Sequence, residues 1–132
     1  MWDLSQFVFQ QCPPTQWMTV IRNSKLEVLI AGNPSGPDHR WLDIAEHVLS
    51  SLDELETNAK AYLDHFVNNS PREGWYLEGT GFGTTEHDPY DMFTLYLIRE
   101  HSDWYGYYHV TFRLASSPSD KHWPFAFGRE EK

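Results

Sequence analysis

Three observations predict an α+β fold for this 132-residue chain. Apolar residues recur at helical spacing between Trp41 and Phe66, four later segments alternate with period 2, and Pro, Gly and Asn mark nearly every boundary between segments. The expected form is an antiparallel sheet of about five to seven strands with one long helix packed on one face. Residues 1–132 are long enough to bury one core and make a single domain.

The first third reads as short strands. Phe7-Val8-Phe9 stops at Cys12-Pro13-Pro14, where two prolines remove two backbone donors. Trp17 to Arg22 and Lys25 to Ile30 flank Asn23-Ser24, a hairpin whose Asn tolerates the positive φ of a tight turn. Two Gly and two Pro in the seven residues Gly32 to Asp38 predict a loop. The stripe Trp41, Ala45, Val48, Leu52, Leu55, Ala59, Tyr62 and Phe66 then steps by four and three without interruption, and Leu42, Leu49 and Leu63 widen it as packing on a sheet requires. Ser51 and Glu54 have the form of a capping box, so a break near Ser50-Ser51 is the other reading; the continuous stripe favours one helix. After Asn68-Asn69-Ser70-Pro71 the segments Trp75 to Phe82, Asp91 to Glu100, Tyr105 to Leu114 and Trp123 to Phe127 read as strands, paired successively and antiparallel.

Period-2 alternation divides these strands into two faces. Trp75, Leu77, Phe93, Leu95, Leu97, Tyr108, Val110, Phe112, Leu114, Trp123, Phe125 and Phe127 form the core set. Opposite them stand Tyr76, Glu78, Thr80, Thr94, Tyr96, Tyr107, His109, Thr111 and Arg113, on a face that one helix cannot cover unless the N-terminal strands fold over it. Tyr and Thr suit a solvated sheet face without any partner. Tyr also gives rigid amphipathic contact area, which makes Tyr76, Glu78, Tyr96, Tyr107 and His109 candidate partner-binding residues.

The chain carries 10 Lys+Arg against 19 Asp+Glu, a net charge of −9, together with six Trp, seven Tyr and eight Phe. So many aromatics argue against disorder, and so acidic a chain repels nucleic acid and anionic membranes. A basic protein partner is expected instead. No apolar run is long enough to cross a membrane, and Met1-Trp2-Asp3 lacks the basic and apolar regions of a signal peptide, so a cytoplasmic protein is expected. The single Cys12 has no second cysteine to pair with, in keeping with a reducing compartment.

The excess charge lies in two segments. Residues 38–69 contribute −5, the pattern of a solvated helix face, and residues 86–103 contribute −4. In the second segment Glu86, Asp88, Asp91 and Asp103 lie in loops flanking one strand, with Tyr90, Trp104 and Tyr105 adjacent. Acids beside aromatic rings suit a basic partner, the charges accelerating encounter and the rings filling pockets. These seven residues complete the candidate binding set.

No catalytic residue, metal site or cofactor is expected. The seven histidines form no helical His-x-x-x-His pair and no zincin motif, although Glu86-His87-Asp88 and His101-Ser102-Asp103 place possible ligands in loops. Cys12 belongs to no Cys-His signature and no Gly-x-Ser-x-Gly elbow occurs. Gly79-Thr80-Gly81-Phe82-Gly83-Thr84-Thr85 lacks a P-loop lysine and a following helix, so it reads as a strand end with glycine bulges.

The layout of a β segment, the helix from Trp41-Leu42-Asp43-Ile44-Ala45-Glu46-His47-Val48-Leu49 to Ala61-Tyr62-Leu63, then Trp75-Tyr76-Leu77-Glu78-Gly79 and further aromatic strands, resembles small bacterial α+β immunity proteins. These belong to contact-dependent growth inhibition and other polymorphic toxin systems. The resemblance spans roughly Leu26 to Phe127. It implies a non-enzymatic intracellular inhibitor that binds a cognate toxin domain, often a basic nuclease, in fixed proportion. The alternative is a small-ligand or peptide-binding domain using the Tyr/His/Arg sheet face. An uncovered sheet edge or face also allows a homodimer.

Overall fold

The computed structural model describes residues 2–11, 15–21, 26–66, 75–83, 90–99, 107–114 and 122–130, with Arg99, Tyr107, Phe125, Arg129 and Glu130 described by backbone only. After a 3-10 turn at Leu4–Gln6, the elements are β1 (Val8–Gln10), β2 (Gln16–Ile21), β3 (Leu26–Asn33), β4 (Gly36–Pro37), α1 (His39–Leu49), α2 (Leu52–Phe66), β5 (Trp75–Phe82), β6 (Met92–Arg99), β7 (Tyr107–Arg113) and β8 (Trp123–Glu130). The fold is α+β, as the periodicities predict. Cys12 and the Asn23-Ser24 turn lie outside the described residues.

The sheet is larger than expected and it is mixed. Its order is β1-β2-β3-β5-β6-β7-β8, with β4 paired to β3, making eight strands. All neighbours run antiparallel except β3 and β5, which pair in parallel from Glu27↔Gly79 to Ile30↔Phe82. The parallel pair follows from the helices between them: α1 and α2 carry the chain back to the starting end, as a crossover connection requires. The N-terminal strands therefore extend the sheet sideways. The predicted Gly32–Asp38 loop is partly a tight hairpin, in which Gly32 pairs with Pro37 and Asn33 with Gly36.

The single long helix is corrected to two. At the junction the Ser50 hydroxyl donates to the His47 carbonyl at 2.6 Å, and the Ser51 N–H bonds Val48, three residues back, at 3.0 Å. These local bonds replace the regular ladder, and a new one starts with Leu55 N–H to Ser51. The interruption preserves helical phase. Trp41, Leu42, Ala45 and Val48 of α1 and Leu52, Leu55, Ala59 and Leu63 of α2 are all buried, so the stripe in the sequence passes through the break unmarked. Phe66 leaves the stripe: it is 54% exposed and packs on Tyr62 and Phe127.

Across the middle strands the core is a row of stacked rings, Phe82 on Phe93 at 5.8 Å and Phe93 on Phe112 at 5.1 Å. Two bulges redistribute residues between the faces. In β5 the register shifts between Leu77 and Gly79, so Thr80 pairs with Leu95 and is wholly buried on the core face, not outward as alternation predicts. A second shift, opposite Thr111 and Phe112, sets Trp123 against Arg113, and Trp123 is 46% exposed instead of inward. Phe127 keeps its core-side pairing with Val110, yet lies at the end of the described sheet order and stays 40% exposed. Thr94, expected outward, is buried.

Candidate functional site

At the N-terminus of α1 the Asp38 carboxylate joins two distant parts of the chain. Asp38 is the N-cap: its Oδ1 accepts from the Arg40 and Trp41 N–H groups at 2.8 and 3.2 Å. Its Oδ2 accepts from the Tyr90 hydroxyl, 52 residues away in sequence, at 2.5 Å. The Arg40 guanidinium sits 4.2 Å from the centre of the Tyr90 ring, and the Trp41 ring packs on the same tyrosine at 4.8 Å. Burial acts to raise the Asp38 pKa. The Tyr90 hydroxyl, the two helix N–H groups and the Arg40 charge overcome it and hold the carboxyl below its ordinary value. The same hydrogen bond, aided by desolvation and the Asp38 charge and opposed by Arg40, raises the pKa of Tyr90.

Tyr90 separates two clefts. One, of about 640 Å³, lies between the β3–β4 hairpin and the start of α1, with Asn33, Ser35, Asp38 and Arg40 on its walls. The other, of about 580 Å³, is open and lined by Asp43, Ile44 and His47 of α1, Tyr90 and Asp91 before β6, Arg113 and Leu114 at the end of β7, and His122 and Trp123 at the start of β8. Both volumes fall in the range of small-molecule and side-chain pockets. Arg113 donates to Asp91 at 3.0 Å, and the Leu114 N–H bonds the Asp91 carbonyl at 2.7 Å, which ties the β6 entrance to the β7 exit. His122 meets His47 edge-on at 5.6 Å and the Phe93 ring at the same distance. Burial first, then the neighbouring His47, lower the His122 pKa against an opposing effect of Glu54, so the neutral imidazole is favoured.

The predicted residues fall into separate places. Tyr90 borders both clefts and Asp91 one of them. Tyr76, Tyr96 and His109 lie on the sheet face opposite the stacked core rings, and Glu78 occupies the β5 bulge. Register places Gly79, Tyr96, His109 and Gly128 in one cross-strand row. Tyr96 leans over Gly79, where an added Cβ would lie 3.8 Å from its ring, and His109 lies so close over Gly128 that a Cβ there would meet Nε2 at 2.4 Å. Glu86, Asp88, Asp103, Trp104 and Tyr105 lie outside the described residues, as does the side chain of Tyr107.

Sequence reasoning missed Asp38, Arg40 and Asp43 as site residues, having assigned the acids to a solvated helix face. It also left out His47, His122 and Trp123. One signal was present: an Asp directly before the first helical residues is an N-cap, and a carboxylate spending one oxygen on a helix keeps a second for another donor. Among the described residues no three His, Cys, Asp or Glu side chains are grouped to hold a metal ion. No helix among them is long and apolar enough to cross a membrane.

Fold and site define a class, an α+β domain whose mixed sheet carries paired polar-aromatic clefts at one end. Comparisons with protein-family models, with curated proteins and with solved structures find no match to this chain.

Proposed function

We propose that the chain is a non-enzymatic, cytoplasmic binding protein that neutralises a basic protein, a nuclease-type toxin domain, by stoichiometric association. The resemblance to immunity proteins implies this activity, and the observation that supports it best is the convergence of Asp43 and Asp91 with the rings of Tyr90 and Trp123 around one cleft. Carboxylates there attract Lys and Arg, and the rings offer faces for the cations and their aliphatic stems. A chain of net charge −9 adds long-range attraction. The alternative, a small-ligand or peptide site on the Tyr/His/Arg sheet face, has less support, because Tyr96 and His109 are laid against glycines of that sheet.

Co-expression with a toxin domain encoded beside this chain tests the reading. Protected cells and a one-to-one complex of the purified proteins are the expected result. Unprotected cells together with no association would end it.

A further inference from the structure

The cleft that Trp123 lines carries both charged and apolar side chains. Asp43, exposed on α1, stands at the rim and makes no hydrogen bond or ion pair among the described residues. Asp91 lines the same cleft, engaged by Arg113 in an ion pair whose two side chains are both about half exposed, 43% and 52%. Such an exposed pair is worth little. Ile44, Leu114 and Trp123 supply the walls, and Trp123 remains nearly half exposed. Asp43, Asp91 and Arg113 sum to one negative charge.

An anion would meet Asp43 and an Asp91 whose carboxylate is answered only by Arg113, so the excess of one carboxylate favours a cation over an anion. A long side chain with a cationic head matches both the walls and the rim: its methylenes cover Ile44 and Leu114 while its charge reaches Asp43 and the indole face. Guanidinium suits the place better than ammonium, because it is planar, weakly hydrated and able to stack while it donates to a carboxylate.

We propose that this cleft is an arginine-accepting pocket, occupied by a guanidinium side chain of the basic partner, with Asp43 as the acceptor and Trp123 as the stacking wall. This rests on the reading of the chain as a binder of a basic protein and names the contact that such a partner would make.

The probe is N-acetyl-arginine amide, added to the full chain while the Trp123 indole and Leu114 backbone signals are followed by NMR. Its uncharged isostere, N-acetyl-citrulline amide, is the control. Arginine amide should shift both signals saturably and citrulline amide should leave them in place. Asp43→Asn should weaken binding about fivefold or more, and Arg113→Gln, which releases Asp91, should strengthen it. Equal shifts from both probes, shifts confined to other regions, or unchanged affinity in Asp43→Asn would overturn the pocket. The two readings fail separately. Toxin binding that is equal for the native chain and Asp43→Asn removes the pocket and leaves the inhibitor; arginine amide bound in the cleft without any toxin association does the reverse.

Discussion

The two aromatic regions of the molecule use similar residues in opposite ways. On the open sheet face Tyr96 and His109 lie down over Gly79 and Gly128, so large side chains fill the gaps left by residues with none. At the cleft end Tyr90 is also held, by the Asp38 carboxylate and the Arg40 and Trp41 side chains, but it is held as a wall between two hollows. One arrangement spends aromatic surface on the sheet itself. The other leaves it bordering two open clefts. An aromatic residue on an uncovered face is therefore weak evidence of a binding surface until its packing against the backbone is known.

The largest expected effect abolishes the contrast. Phe93, stacked between Phe82 and Phe112 and touched by His122, underlies both regions, and Phe93→Ala should cost about 3–5 kcal/mol in urea unfolding. Gly128→Ala acts on the open face alone: the new methyl displaces the His109 ring, costing about 1–3 kcal/mol, while the Tyr90 resonances stay where they are. Asp38→Ala acts on the cleft end, losing the helix cap and the Tyr90 partner for about 1–2 kcal/mol, and should shift Tyr90 and Trp41 signals but not those of Tyr96.

Acid should also fall on the cleft end. His122 is held below its ordinary pKa, so its contribution is complete above about pH 6.5 and is lost as pH falls through the folded value. Asp38 is likewise lowered, and its contribution is lost only below about pH 4. Melting temperature measured against pH should therefore decline in two stages. Replacing His122 by Gln should diminish the upper stage and Asp38→Asn the lower one.

Periodicity made much of the fold legible. The helical stripe and the strands β5 to β8 stand near their expected bounds because burial of one side imposes spacing on the sequence. What it concealed were shifts of phase and changes of partner. The break at Ser50-Ser51 keeps Val48 and Leu52 on one side and so leaves no trace in the stripe. The bulge in β5 carries Thr80 inward, and the shift in β8 carries Trp123 outward, because one extra residue reverses every following side chain. The parallel pairing of β3 and β5 is set by the crossover of the helices, which no local pattern records. Tyr90 and Asp91 were legible as acid beside aromatic; their partners Asp38 and Arg113 were separated from them by long stretches of chain and became visible only once folded.

The most direct measurement titrates the toxin domain that the co-expression test identifies as partner into three forms of the protein: native, Tyr90→Ala/Asp91→Ala and Tyr76→Ala/Tyr96→Ala. Each form is first confirmed as folded by circular dichroism. The cleft account predicts at least about a tenfold loss of affinity in the Tyr90/Asp91 form and a change of less than about twofold in the Tyr76/Tyr96 form. The reverse order, or equal loss in both, would contradict it and move the binding surface to the open face of the sheet.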